Sequence, residues 1–165
     1  MSEVNVATRV KSPRKLGWFC LSVCVVLLDQ ITKHWAMMVL VPYQPKPVIP
    51  MLNLTLAYNT GSAFGFLHQA GAWHDWFFLS FGTLMSCVFL LWMVRMKPQT
   101  WLPLCAVGLM LGGAVGNLID RINHHHVIDF IDVYYKSYHF PIFNLADSAI
   151  CVGAFLLYFA WDDHR

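Results

Sequence analysis

Long apolar runs separated by short polar breaks dominate the chain. The runs cover residues 16–37, 73–94, 101–119 and 142–161. Each is long enough for a helix rising ~1.5 Å per residue to cross a hydrocarbon core of ~30 Å. The pattern predicts four transmembrane helices and two outer loops, 38–72 and 120–141. In the first loop Pro42, Pro45, Pro47 and Pro50 exclude a continuing helix. Leu52, Leu54, Leu56 and Tyr58 then alternate with Asn53, Thr55, Ala57 and Asn59, the period of two that marks a strand. It ends at the turn signal Asn59-Thr60-Gly61, and the apolar piece 63–67 is expected to pair back or to lie on the membrane surface. The second loop holds His124-His125-His126 and the run 127–134, too polar to span and too apolar to float free. It is expected as an interfacial loop or helix packed on the sheet. The expected fold is therefore membrane all-α, four transmembrane helices with a small extracytoplasmic β-sheet cradle, forming one integral-membrane domain over residues 1–165.

Composition agrees: 58% of the 165 residues are hydrophobic and 12% charged, against about 25% charged in an average soluble domain. The formal net charge of +2 points to neither nucleic acid nor an acidic substrate. Cys20, Cys24, Cys87, Cys105 and Cys151 all lie within apolar runs, without zinc-site or disulfide spacing, and read as packing or lipid-side residues. Arg9, Lys11, Arg14, Lys15, Arg95, Lys97 and Arg165 fall on one side of the predicted spans, and Lys46, Arg121 and Lys136 on the other. Both termini are therefore expected in the cytoplasm. Trp18, Trp35, Trp73, Trp76, Trp101 and Trp161 lie near span ends, where indole prefers the headgroups. Leu21-Ser22-Val23-Cys24 faintly resembles a lipoprotein cleavage box, but the run is longer than a secretory h-region and carries Asp29 and Lys33 at its far end. It is read as a retained span.

Ionisable residues at membrane depth are costly, about 2.5 to 3.5 kcal/mol at a helix centre on insertion scales, and so are functional candidates. Asp29 and Lys33 stand four apart on one face of the first helix, as a structural ion pair does. In the third helix Gly108, Gly112 and Gly116 repeat every four residues, the small-residue spacing of close helix packing, and Asp120 continues that stripe. Gly113, Asn117 and Arg121 form the stripe beside it. Asn144, Asp147 and Ser148 are expected together on one face where the fourth helix opens, with Asn144 and Ser148 able to cap or bond locally. Asp147 has no cation within one turn, and a pairing with Arg121 or Lys33 is its structural alternative. Asp29, Asp120, Asp129 and Asp147 can thus share one outer pocket.

Two neighbouring carboxylates that cannot both ionise share a proton, so that one activates water while the other protonates the carbonyl or leaving amine. Spacing alone does not choose among Asp120, Asp129 and Asp147. Arg121 beside Asp120 tends to hold that acid ionised and structural, whereas Asp129 lies between Ile128 and Phe130, which inclines the choice toward Asp129 with Asp147. Three consecutive histidines do not converge on a metal ion, and no metal or other cofactor is expected. Ser62, Ser80, Ser86 and Ser148 have no lysine or histidine at a spacing that suggests serine–lysine chemistry. A small ion or proton transporter is a competing class, but it needs polar groups through the full depth, and here they gather at one end. A non-enzymatic assembly subunit would use the glycine stripe and tolerate loss of the carboxylates.

Five segments, in order, resemble the lipoprotein signal peptidases, the type II signal peptidases of bacteria. They are Asp29-Gln30-Ile31-Thr32-Lys33, Tyr58-Asn59-Thr60-Gly61-Ser62-Ala63-Phe64, the stretch 112–121, Val127-Ile128-Asp129-Phe130, and Phe143-Asn144-Leu145-Ala146-Asp147-Ser148. The departures are small: Ile128 and Ser148 stand where relatives vary among similar residues. The resemblance implies catalytic aspartates at Asp129 and Asp147, Asn117 and Asn144 orienting them, and Asn59 and Arg121 touching the substrate backbone. It implies that Asp29 and Lys33 brace the site together with Asp120. It further implies a diacylglyceryl-modified prolipoprotein as substrate, cut on the amino side of the lipidated cysteine, at the outer face of the bacterial inner membrane. The segment 59–66 would move to admit the peptide. The expected partners are this substrate and membrane lipid, without nucleic acid, and the protein is expected to be a monomer.

Overall fold

The computed structural model describes residues 16–61, 73–97 and 100–162. The basic residues at 9, 11, 14, 15 and 165, the apolar piece 63–67 and the rest of the segment 62–72 lie outside the described residues, as does the side chain of Trp161. In chain order the elements are α1 (Leu16–Val39), β1 (Lys46–Ile49), β2 (Leu52–Asn59), α2 (Trp73–Arg95), α3 (Trp101–His124), β3 (Val127–Tyr135), β4 (Tyr138–His139) and α4 (Leu145–Asp162). Among the described residues α1, Asp75–Arg95 of α2, and α3 are long and apolar enough to cross a membrane. The apolar stretch of α4, Leu145–Ala160, is shorter.

Packing converges on α3. A Cβ on Gly108 would lie 3.3 Å from the Trp18 carbonyl oxygen, and one on Gly112 would lie 2.8 Å from the Ser22 carbonyl oxygen and 2.7 Å from Val25. Ser22 Oγ donates 2.8 Å to the Gly108 carbonyl. The stripe that begins with these glycines is therefore the seat of α1. The neighbouring stripe seats α4: a Cβ on Gly113 would run into the Ala146 carbonyl and Ile150. Any side chain at these positions would push the helices apart, which is why the spacing is four and the residue is glycine. On the opposite side Phe89 and Met93 of α2 pack on Leu104, Val107 and Leu111 of α3. Another face of α2, including Phe77, Phe81, Leu84 and Leu91, is exposed and apolar, as a lipid-facing surface is.

The sheet is antiparallel in the order β1-β2-β3-β4. The strand read from the alternation 52–59 is β2, and its end at Asn59 is the Asx turn foreseen there, with Gly61 N–H donating 2.8 Å to Asn59 Oδ1 and Gly61 at φ 95°. The segment 127–134 departs from expectation: it is a strand, β3, at the centre of the sheet, and not an interfacial loop or helix. Residues 127–130 are all buried, so both faces are covered and the polar–apolar alternation that marks a one-sided strand is missing. Ala36 of α1 and Leu40 just beyond it pack with Leu56, Ile128 and Phe130 and fasten the sheet to the helix end. Each of the larger of these buried side chains stabilises by roughly 1.5–3 kcal/mol.

Two helix limits also differ from the apolar runs. α3 continues to His124, past the predicted end at 119, because Asn117, Asp120 and Arg121 find polar partners there and need no loop. α4 begins at Leu145, not at 142. Phe143 is taken by the sheet, donating 3.1 Å to the Ile131 carbonyl and accepting from the Phe130 and Ile131 amides at 3.1 and 2.8 Å.

Candidate active site

Asn144 lies one residue before α4, not within it, and is the helix's N-cap. Its Oδ1 accepts the Asp147 N–H at 2.9 Å, while Asp147 Oδ2 accepts the Asn144 N–H at 3.3 Å, the reciprocal arrangement of a capping box. Asp147 thus sits in the first turn of α4, held by the geometry that starts the helix. Asp129 arrives from β3. A bulge in β2 between Leu54 and Ala57 sets Ala57 opposite Asp129. Asn59, two residues further on, donates 2.9 Å to Asp129 Oδ2.

Two amides join the acids. Asn144 Nδ2 donates 2.7 Å to Asp129 Oδ1 and 3.1 Å to Asn117 Oδ1, and Asn117 Nδ2 donates 2.8 Å to Asp147 Oδ1. The orientation of each asparagine is fixed by a group that can only donate: the Lys33 ammonium for Asn117, the Asp147 N–H for Asn144 and the Gly61 N–H for Asn59. In each case the amide oxygen faces that donor, so the NH2 faces a carboxylate. All four oxygens of Asp129 and Asp147 accept an N–H. Burial pushes the Asp129 carboxyl up to about 7, helped by the charge of Asp147 and opposed by the Asn59 and Asn144 hydrogen bonds.

Behind this pair lies a second buried group. Lys33 uses its three donors on Asp29 Oδ2 and Asp120 Oδ2, both at 2.8 Å, and on Asn117 Oδ1 at 2.9 Å. Asp29 Oδ1 accepts the Ala146 N–H at 2.9 Å, and Asp120 Oδ2 accepts the Ile128 N–H at 3.1 Å. The cluster therefore pins both α4 and β3, the carriers of the two site acids. The four aspartates occupy two adjoining centres, with Asp29 and Asp120 around Lys33 and Asp129 and Asp147 around the asparagines. Asp120 takes its counter-charge from Lys33 and not from the adjacent Arg121. Asp147 bonds to Asn117 and to the Asn144 N–H, in place of the lysine or arginine partner of its structural alternative.

Arg121 turns toward α2. Its guanidinium lies 5.7 Å from the centroid of Phe78, and Nη1 donates 3.3 Å to the Asn117 carbonyl. It lines a cavity of about 250 Å³ with Thr60, Trp76, Phe78 and His125. His125 closes α3 in the left-handed conformation at φ 62°. Among the described residues no group of three or more His, Cys, Asp or Glu side chains is placed to hold a metal ion.

Sequence reasoning assigned no part to Gln30. Its Nε2 donates 2.8 Å to Asp120 Oδ1 and 3.1 Å to the Gly116 carbonyl, closing the Lys33 cluster from the side. A polar residue next to Asp29 at membrane depth was the available signal. Also unforeseen was a further buried carboxylate, Asp132, which accepts from Thr55 Oγ1 at 2.8 Å, Asn53 Nδ2 at 3.3 Å and His139 Nδ1 at 2.7 Å.

This geometry can be set beside known proteins. The family described as Signal peptidase (SPase) II matches residues 21–161. The chain belongs to the signal peptidase II family. A lipoprotein signal peptidase of Teredinibacter turnerae is 43% identical over 162 residues, spanning 98% of this chain and 92% of that protein. One of Acinetobacter baumannii is 51% identical over 146 residues, spanning 88% of this chain and 82% of its own length. Two solved structures of a bacterial membrane enzyme are similar at TM-score 0.77 each. They are 31% and 32% identical, cover 89% and 88% of this chain, and are themselves covered over 88% and 92% of their length. As a member of the signal peptidase II family the chain is a peptidase, and its apolar helices make it a multi-pass protein of the bacterial inner membrane.

Proposed function

We propose that the protein is an aspartic endopeptidase that removes the signal peptide from diacylglyceryl-modified prolipoproteins, cutting on the amino side of the lipidated cysteine. Asp129 and Asp147 are its catalytic dyad. The observation that carries this reading is the meeting of two carboxylates, from β3 and from the first turn of α4, on one pair of asparagines with no cation bonded to either acid among the described residues. A carboxyl pushed up to about 7 by burial and by its neighbour's charge keeps one proton in the pair near neutral pH. The ionised member takes a proton from water, the water oxygen attacks the scissile carbonyl, and the protonated member supplies the carbonyl oxygen. Collapse of the diol returns one proton to the dyad as the other passes to the leaving nitrogen.

Asn117 and Asn144 orient the acids, Asn59 and Arg121 meet the substrate backbone, and Asp29, Lys33 and Asp120 brace the dyad. α4 is the fourth span: 18 residues at ~1.5 Å each reach about 27 Å, close to the bilayer core. With both termini in the cytoplasm, the sheet and the dyad stand at the outer face, where a lipidated cysteine at the end of a signal helix presents its peptide bond. The acyl chains lie against the apolar outer surface of the helices, and the protein acts as a monomer.

Hydrolysis of a lipidated precursor by purified protein tests the assignment. Asp129→Asn and Asp147→Asn, each folded, are expected to lose activity by on the order of 10³-fold or more. Near-normal turnover by either would exclude the dyad.

A further inference from the structure

We propose that the proton shared by the dyad resides on Asp129 and that Lys33, acting through Asn117, holds Asp147 as the ionised, water-activating member. This rests on the dyad reading above and adds to it a direction and a positioning residue.

Three independent features make the two acids unequal. The first is burial: Asp129 is 1% exposed within β3, whereas Asp147 is only partly buried at the start of α4. Charge is penalised more at the drier position. The second is the backbone: Asp147 lies in the first turn of α4 and accepts an N–H at the helix's positive end, while Asp129 lies in a strand, which has little net dipole. The third is the source of the side-chain donors. The amide that serves Asp147 is bonded on its oxygen side to an ammonium, at 2.9 Å, and a cation on the amide oxygen polarises the N–H that points at the carboxylate. The donors to Asp129 have no such backing. Asn59 is backed by a neutral Gly61 N–H, and the Asn144 amide is divided among Asp129, Asn117 and the Ile128 carbonyl.

The charged groups that face the pair agree in sign. Arg121 of α3 donates 3.3 Å to the carbonyl of Asn117, the residue whose amide serves Asp147. Lys33 of α1 is already matched by Asp29 and Asp120. Its charge reaches Asp129 only as the smallest of the influences on that acid, and its bonded route to the dyad runs through the Asn117 amide to Asp147. In this assignment the water proton goes to Asp147 as the water oxygen bonds to the carbonyl carbon, and the Asp129 proton goes to the carbonyl oxygen. When the C–N bond breaks, Asp147 gives its proton to nitrogen and one diol hydroxyl returns a proton to Asp129, which restores the starting state.

The pH profile of kcat on a lipidated precursor reads the assignment directly. The acid limb reports protonation of the ionised member, and the alkaline limb reports loss of the shared proton. Asn59 stands at an exposed strand end, so Asn59→Ala is expected to fold. It removes a donor to Asp129, and its alkaline limb is expected to move up by about one pH unit with the acid limb in place. Asn117→Ala, which disconnects Lys33 from Asp147, is expected to move the acid limb up by a similar amount and leave the alkaline limb unchanged. Lys33→Gln should move the same limb in the same direction. The crossed outcome, with Asn59→Ala moving the acid limb, or no movement of either limb, overturns the proposal, and Asn59→Ala decides alone if the buried variants do not fold. Failure of the dyad itself looks different: Asp129→Asn or Asp147→Asn would then keep turnover.

Discussion

Asp129 and Asp132 stand three residues apart on β3, and both are buried, yet their surroundings drive them in opposite directions. Burial pushes Asp132 up, but hydrogen bonds from His139, Thr55 and Asn53 outweigh it and hold the carboxyl below its usual 3.8. Asp129 lies deeper and accepts two amide hydrogen bonds, yet burial first, and the charge of the second carboxylate next, push it up to about 7. Low exposure alone therefore does not decide the direction of the shift. What separates the two is deeper burial with an adjacent negative charge on one side and a donor set that includes a histidine on the other.

The largest effect that sharpens this contrast is on turnover. Asp129→Asn should remove activity as above, whereas Asp132→Asn, measured on the same precursor, should keep it within a few-fold. A loss of on the order of 10²-fold in Asp132→Asn would place that residue in the chemistry and erase the distinction.

Next in size is the pH dependence of stability, where the two acids should act with opposite sign. The folded chain holds the Asp129 proton at pH values where the unfolded chain has released it. That contribution is full below pH 3.8 and is lost as pH rises through about 7. For Asp132 the contribution is present above pH 3.8 and is lost as pH falls through its lower folded value. Thermal unfolding in detergent should show Asp129→Asn gaining on the wild type as pH rises from 3.8 through about 7, and Asp132→Asn losing ground as pH rises toward 3.8 and holding level above it. Parallel trends would refute the electrostatic difference between the sites. The smallest expected change is that of Thr55→Val, which removes one donor to Asp132 and should destabilise by about 1–2 kcal/mol without altering turnover, as read by denaturant unfolding and the cleavage assay.

The parts of this molecule that were legible in the sequence are those with a period. The helices α1, α2 and α3 announce themselves as apolar runs, β2 as an alternation, and the α3 stripe that seats α1 as glycines spaced by four, with Gly113 opening the stripe beside it that seats α4. The acids of the site were legible as a set because ionisable residues at membrane depth are so few. What one-dimensional spacing does not carry is which acid meets which cation. Asp120 is adjacent to Arg121 in sequence, but helix geometry points it at Lys33 on another element. β3 was hidden because burial on both faces removes alternation, and with it went the Asp132 cluster, whose partners come from β2 and β4. The first turn of α4 was misplaced because Phe143 is apolar for the sake of the sheet and not of a span.

One consequence concerns how such a chain is built into a bilayer. α1 carries its acid and its base four residues apart, bonded at 2.8 Å, so it can leave the translocon as an electrically neutral rod. α3, synthesised later, brings Asp120, whose partner is already waiting on α1. The order of biosynthesis thus gives Lys33 its first carboxylate before its second, and closing this cluster becomes the step that locks α1 and α3 together.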